Sequence, residues 1–460
     1  MQESHYKFKK DSERKAFDLE HRTKIKFNMS QYDAAVKKGK LQYDNLELAR
    51  KRAQAIKHRV VNNLDKYLIE FAANFEKNGG KLIWAVDEKE AVKEILTIMS
   101  KHEAKHVVKS KSMISEEIEL NDALESNGIE SLETDLGEYI VQLAGEKPYH
   151  IVTPAMHKSS NDIAELFHEK LNTPAESTPA EMTGYVRERL RQKFVDADVG
   201  ITGANFMIAN TGAICITENE GNALMSVSFP KIHIAIVGIE KIIPSVADLD
   251  LFWPLLATHG TGQHLTVYNS IITGPKKHNE QDGPEKMYLV LLDNNRSEVL
   301  KKTEHRAAMM CIRCGACLNA CPVYKNIGGH SYGTTYSGPI GSVITPHMKG
   351  MEEFKHLSFA SSLCGSCSDV CPVNIPLHEM LLYNRNESVK SGFSNSTEKF
   401  SMNGMKYFLM KRKRMDMLKA GMKNLGMQMF FIRAWGSHRD LPKFAKKSFR
   451  EMWLEQKGTK

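Results

Sequence analysis

Seven of the eight cysteines of this 460-residue chain fall between Cys311 and Cys371, in two runs. The first reads Cys311-x2-Cys314-x2-Cys317-x3-Cys321-Pro322 and the second Cys364-x2-Cys367-x3-Cys371-Pro372. The first is the spacing with which bacterial two-cluster ferredoxins hold cubane iron–sulfur clusters. Two residues between cysteines let one short loop present three soft thiolates to one cluster. The fourth cysteine, three residues on, serves the other cluster. Proline after it fixes φ and turns the chain away. The pattern predicts crossed ligation, with Cys311, Cys314, Cys317 and Cys371 on cluster one, and Cys321, Cys364 and Cys367 on cluster two.

Cluster two is then one thiolate short, because Ser361 stands where a complete second motif has cysteine. Three outcomes are open: a three-iron [3Fe-4S] form, a cubane with serine, histidine, water or substrate on the fourth iron, or closure by Cys215. Cys215 lies in Gly212-Ala213-Ile214-Cys215-Ile216, which reads as a buried strand, so it is read as a small core residue. Structural zinc favours separate CxxC pairs, and the first run does not divide that way. Ile312, Val323, Val370, Val373 and Ile375, set among the cysteines, are placed to keep water off the sulfurs, a lever on reduction potential.

The length suits two or three domains, and 42% hydrophobic residues are enough for a sizeable core. The chain opens Met1-Gln2-Glu3-Ser4-His5, with no apolar signal core, which predicts a cytoplasmic protein. No apolar run is long enough for a membrane helix. The net charge of +8 is uneven: Ser391 to Lys460 carry 16 Lys+Arg against 5 Asp+Glu, and the remainder is slightly acidic.

Four regions follow. Residues 1–75 read as a helical extension, with an amphipathic helix running from Ala53 through Leu68. Residues 76–300 alternate strands with helices and read as an α/β domain with a largely buried, partly mixed sheet. Its strands are expected at Lys81–Val86, Val107–Val108, Tyr139–Leu143, Ile151–Val152, Val199–Ile208, Ala213–Thr217, Ile232–Val237, Leu265–Ile272 and Met287–Leu292. Helices are expected at Glu88–Ser100 and Ile163–Leu171. Residues 301–390 read as a mainly helical two-cluster ferredoxin-like domain. A helix over Val299–Met310 leads into Cys311, a loop spans Gly328–Pro339, and a helix over Pro376–Lys390 leaves Cys371. Residues 391–460 read as a Met-rich, basic helical tail, with readings as helices on the core, a docking element for a partner subunit, or a contact with anionic lipid at the membrane's inner face. No nucleic-acid module accompanies the charge.

The cysteine region, together with Asp198-Val199-Gly200-Ile201-Thr202-Gly203-Ala204-Asn205-Phe206, Asn210-Thr211-Gly212, Glu218-Asn219-Glu220-Gly221-Asn222, Lys111-Ser112-Met113-Ile114-Ser115-Glu116-Glu117 and Asp293-Asn294-Asn295-Arg296-Ser297, resembles the lactate utilisation protein B family over roughly residues 60–390. The resemblance implies a lactate-utilisation (LUD) domain, akin in fold to sugar isomerases and CoA transferases, followed by two [4Fe-4S] clusters held by the seven cysteines. A second site with three cysteines is then normal for the family. It further implies an electron-transfer subunit, a component of an L-lactate dehydrogenase complex rather than a complete enzyme. That subunit works with two other lactate-utilisation subunits in oxidising L-lactate to pyruvate and passes electrons toward a respiratory acceptor. A relay for glycolate or a heterodisulfide, and a cluster-based redox sensor or scaffold, are the alternatives.

Beyond the cysteines, Glu116, Glu117, Asn205, Thr211, Glu218 and Asn222 are the polar candidates for a ligand cleft at strand ends, and no catalytic residue is assigned. Gly260-Thr261-Gly262 reads as a turn rather than a phosphate loop. His330 reads as a loop histidine, and Tyr332 and Tyr336 as packing residues.

Overall fold

The computed structural model describes residues 3–435 and 439–458 and divides into two compact units after Ser388. In the first unit the strands are β1 Lys81–Ala85, β2 His106–Lys109, β3 Glu130–Glu133, β4 Val199–Thr202, β5 Phe206–Ile208, β6 Ala213–Glu218, β7 Ile232–Gly238, β8 Ile242–Ile243, β9 Tyr268–Ile272 and β10 Lys286–Leu292. Six of them form a parallel sheet in the order β1-β10-β7-β4-β2-β3. The other four make a separate mixed sheet, β8-β5-β6-β9.

Continuous apolar runs explain the parallel sheet, since helices cover both of its faces. All seven residues of β7 are buried. Ile232, Ile234 and Ile236 enter one core with Ala91, Ile95 and Met99 of the Glu88–Lys101 helix. Ala235 and Val237 enter the other, with Leu68, Phe71 and Phe75 of the Leu64–Lys77 helix. β10 alternates the same way, Val290 to the first core and Leu289 to the second. One helix lies so close to β4 that a Cβ on Gly200 would meet Ser226 O at 1.7 Å.

Several local expectations are overturned. Tyr139–Leu143 belongs to a helix, Leu136–Leu143, whose N-cap Asp135 accepts from Glu138 N. The apolar residues there suit either period, and the cap decides the outcome. Ile151–Val152 is irregular backbone: Val152 N and Thr153 N donate to the buried His150 ring, and Ile151 is apolar because it walls the cysteine cavity. The expected helix from Ala53 through Leu68 is two helices, Leu46–Val61 and Leu64–Lys77, broken at Asn62-Asn63, residues that favour helix ends. The expected helix over Val299–Met310 is a short helix, Arg296–Lys301, and a separate 3-10 turn, Arg306–Met310. The Gly328–Pro339 loop holds a 3-10 turn at His330–Tyr332, and Gly338 and Pro339 open a buried helix that runs to Met348. Gly260 and Thr261 end the Leu249–Thr261 helix, and Gly262, at φ +79°, caps it.

The N-terminal helices Glu3–Phe17, Leu19–Gly39 and Leu46–Val61 share a core with the cysteine region: Ile25, Met29 and Ala53 join Tyr149, Met309 and Leu318. The second unit carries helices Ser396–Leu409, Arg412–Asp416, Ala420–Trp435 and Phe449–Gln456. It leaves Phe400, Met402, Met410 and Phe449 exposed. Among the described residues no helix is long and apolar enough to cross a membrane.

Candidate iron–sulfur centre

Two loops of the same shape present the cysteines. In the first, Arg313 at φ 60° and Gly315 at φ 82° flank Cys314, and Gly315 caps the helix Ala316–Ala320 that carries Cys317. In the second, Leu363 at φ 55° and Gly365 at φ 85° flank Cys364, and Gly365 caps the helix Ser366–Asp369 that carries Cys367. Two non-glycine residues in the left-handed region at matching positions mark a conformation held by its surroundings rather than by local preference. The two short helices pack against each other. Each leads to its last cysteine, Cys321 or Cys371, and a proline.

That packing brings the seven cysteines into two groups. Cys311, Cys314, Cys317 and Cys371 line one cavity, with Ile312, Ile340 and Val373 in its wall. Burial pushes the Cys371 thiol up to about 12 and raises those of Cys314 and Cys317 further. Cys321, Cys364 and Cys367 form the second group. Burial, and then the neighbouring Cys321 and Cys364, bring Cys367 to about 11. Cys364 differs: it is exposed, and hydrogen bonding with Ser366 lowers its thiol pKa. A buried thiol with a raised pKa ionises readily only when a cation is bound beside it, which is the linkage by which metals release protons from their ligands. Four soft donors around one closed, apolar-walled cavity fit an iron–sulfur cluster. The second group offers three thiols at a more open position.

Cations and backbone donors surround the first group. Arg313 N donates to Cys311 Sγ and Ile375 N to Cys371 Sγ, both at 3.4 Å. From the Leu46–Val61 helix, Arg50 donates to Cys371 O at 3.0 and 2.9 Å and to Asp369 O at 2.8 Å. Lys57, 1% exposed on the same helix, donates to Glu240 O and Ile242 O, and burial lowers its ammonium to about 7.

The other sequence candidates lie apart from the cysteines or are already engaged. Cys215 is buried on β6, with burial raising its thiol to about 12. His330 Nε2 bonds Lys147 O at 2.7 Å. Tyr332 packs edge-on against Phe8, and Tyr336 donates to Glu117 Oε2 at 2.6 Å. Of the cleft candidates, Glu116 pairs with buried Lys109, and Glu117 pairs with Arg296. Asn205 Oδ1 accepts from Thr217 N and Thr211 Oγ1 from Ala213 N, both holding the second sheet. Glu218 accepts from Ala223 N and Leu224 N at the start of a helix, and Asn222 sits beside Thr134. Glu218 and Asn222 stand together at that helix start, whereas Asn205 and Thr211 brace the second sheet.

Sequence reasoning missed the ion network that joins the cysteine loop to the sheet. Arg313 donates to Glu240 at 3.3 Å and stacks over Tyr336 at 4.5 Å, while Arg296 binds both Glu117 and Glu240. Burial works against the ionised Glu240, yet Arg296 and Arg313 hold it down to about 2. Glu240 follows β7, Arg296 follows β10 and Glu117 follows β2, so all three stand beyond the C-terminal ends of parallel strands. Ligands of open α/β sheets usually bind there; here the cysteine loop lies on that edge. The sequence signal was Glu117 and Arg296, each in a quoted motif after an apolar run; Glu240 stood in no motif.

A family model described as the LUD domain matches residues 68–292, and one described as a 4Fe-4S dicluster domain matches residues 307–375. Lactate utilization protein B of Bacillus cereus strain B4264 is 43% identical over 427 residues, covering 90% of this chain and 89% of the relative. The protein of the same name from Bacillus anthracis strain CDC 684 / NRRL 3495 matches with the same identity and coverage. A crystal structure of a duf162 family protein from Deinococcus radiodurans shares 13% identity at a TM-score of 0.29, covering 50% of this chain and 98% of that one.

Proposed function

The chain belongs to the lactate utilization protein B family, and on that premise we propose that it is the iron–sulfur electron-transfer subunit of a multi-subunit system oxidising L-lactate to pyruvate. Cys311, Cys314, Cys317 and Cys371 would hold one four-iron cluster, and Cys321, Cys364 and Cys367 the other. Bound there, the clusters supply one-electron storage and transfer. The observation that carries the reading is the contrast between two adjacent groups, one walled by apolar side chains and the other open at Cys364.

The chain's own residues divide the work. Ile312, Ile340 and Val373 exclude water from the first group. The amide of Arg313 points at Cys311 and that of Ile375 at Cys371, where it favours the thiolate form. Arg50 and Arg313 place positive charge beside that group, which favours added electrons. The exposed side of the second group is where a redox partner approaches most closely, so electrons enter or leave at Cys364.

The partners in this reading are two other lactate-utilisation subunits and a respiratory acceptor. The basic tail, with Phe400, Met402 and Met410 exposed, is assigned to docking on a partner subunit or on the anionic inner face of the membrane by an otherwise cytoplasmic protein.

The test uses the full chain assembled anaerobically with iron and sulfide. L-lactate together with the partner subunits is expected to reduce it, read as the appearance of paramagnetic resonance signals. Bound zinc in place of iron and sulfide, or unimpaired growth of a deletion strain on L-lactate, overturns the reading. Impaired growth on glycolate alone transfers it to another 2-hydroxy acid.

A further inference from the structure

The second cysteine group has three thiols, and the structure repeats around it the loop that carries three of the four donors in the first. From Cys311 the chain runs through Arg313 at φ 60°, Cys314, Gly315 at φ 82° and Cys317. From Ser361 it runs through Leu363 at φ 55°, Cys364, Gly365 at φ 85° and Cys367. The correspondence reaches the donor atoms. Arg313 N donates to Cys311 Sγ at 3.4 Å, and Leu363 N donates to Ser361 Oγ at 3.1 Å. A bond from the amide two residues on holds oxygen in one loop where it holds sulfur in the other. The difference in length is that between an oxygen and a sulfur acceptor.

The Ser361 loop is pinned from outside. Arg385 donates to Ser361 O at 2.7 Å and to Ser358 O at 3.1 Å, from the helix that follows the second motif. The neighbouring hydroxyls of Ser362 and Ser366 are engaged with Cys364. Ser366 Oγ pairs with Cys364 Sγ, and Ser368 Oγ bonds His378 Nδ1 at 2.7 Å. Cys215 lies on β6, and His330 is bonded to Lys147 O.

We propose that Ser361 Oγ is the fourth ligand of the second cluster. The proposal rests on the reading that Cys321, Cys364 and Cys367 hold that cluster. On assembly one Fe–O bond forms to Oγ, and the hydroxyl proton leaves to water at this open face. The amide of Leu363 stays a donor to the bound oxygen. An oxygen ligand makes this corner harder than the three thiolate corners, so the two clusters differ electronically although their loops are alike.

The experiment compares the native full chain with S361A and S361C, each assembled anaerobically with iron and sulfide and reduced in ordinary water and in water enriched in the magnetic oxygen isotope. The first cluster's resonance is the internal control for folding in every variant. The expected native second-cluster signal is not broadened by labelled water. S361A is expected either to gain that broadening, as solvent takes the corner, or to lose one iron and show a three-iron signal. S361C is expected to shift the second-cluster signal without broadening it. Broadening in the native chain, or an S361A variant with unchanged signal and iron content, overturns the serine's role and leaves the cysteine reading standing. Absence of both cluster signals from the native chain overturns the cysteine reading and the serine's role with it.

Discussion

Arg296 holds Glu117 through both carboxylate oxygens, at 2.9 and 2.7 Å, with each side chain only 1% exposed. Its Nε also donates to Glu240 at 2.7 Å, and Tyr336 of the iron–sulfur segment closes on Glu117. One guanidinium therefore ties the segments after three parallel strands to the chain between the two cysteine motifs.

Removing that guanidinium leaves buried Glu117 without its ion-pair partner and Glu240 with Arg313 alone. Arg296→Met is expected to destabilise the chain by about 3–5 kcal/mol, the usual effect of breaking a buried pair by deleting one partner. Arg296→Lys should recover only part of this, because an ammonium cannot reproduce the planar fork. Urea unfolding of the cluster-loaded chain checks both, and a native midpoint in Arg296→Met would refute the expectation.

Arg50 acts on the second motif from outside it. Its three bonds to Cys371 O and Asp369 O come from the N-terminal helices. Arg50→Ala should lower the iron content at the first group and cost about 2–4 kcal/mol, from the lost charged hydrogen bonds. Iron analysis and thermal unfolding read the two effects. Loss of iron without any change in melting temperature would point to a role in assembly alone.

Exposure sets the order of oxidative loss. Cys364 is exposed, whereas Cys314, Cys317 and Cys371 are buried. On admission of air the second-cluster resonance is expected to decay several-fold faster than the first. Parallel decay of the two signals would contradict the assigned difference in access.

Acid sensitivity should come in part from buried neutral histidines. His233 on β7 is fully buried, bonds Thr202 Oγ1 at 2.8 Å, and burial lowers its pKa from 6.5 to about 3. A lowered folded pKa means full stability above 6.5, lost as pH falls from there toward 3, because the unfolded chain takes the proton first. Each such group contributes a slope of about 1.4 kcal/mol per pH unit in that window. His233→Gln is expected to flatten the fall in melting temperature between about pH 6.5 and 5.5. A variant whose slope matches the native one would show that His233 does not titrate there.

Much of the fold was legible because its signals are local. β7, apart from His233, and β10 from Met287 onward are apolar runs, and a strand buried on both faces needs such a run. The seven cysteines could be singled out because a short loop reaches one cluster only at fixed spacing. Tyr139–Leu143 was misread because its apolar residues suit either period and Asp135 decides between them through one cap. Ile151 was misread because its partner is a cavity more than 150 residues away in sequence.

The sequence alone singled out seven cysteines at fixed spacing, showed that a buried α/β sheet precedes them, and put Ser361 where a complete second run has cysteine. Short-range spacing and hydrophobic period depend only on neighbours along the chain. Tertiary structure alone decided that Arg50 and Lys57 come to the cysteine region and that Arg313 meets Glu240 on the edge of the parallel sheet. It also decided that the Leu363 amide turns onto Ser361 Oγ as the Arg313 amide turns onto Cys311 Sγ. The relations of Arg50, Lys57 and Arg313 join segments from tens to more than 300 residues apart. A buried charge is stable only where the folded chain supplies its partner, and nothing local in the sequence names that partner.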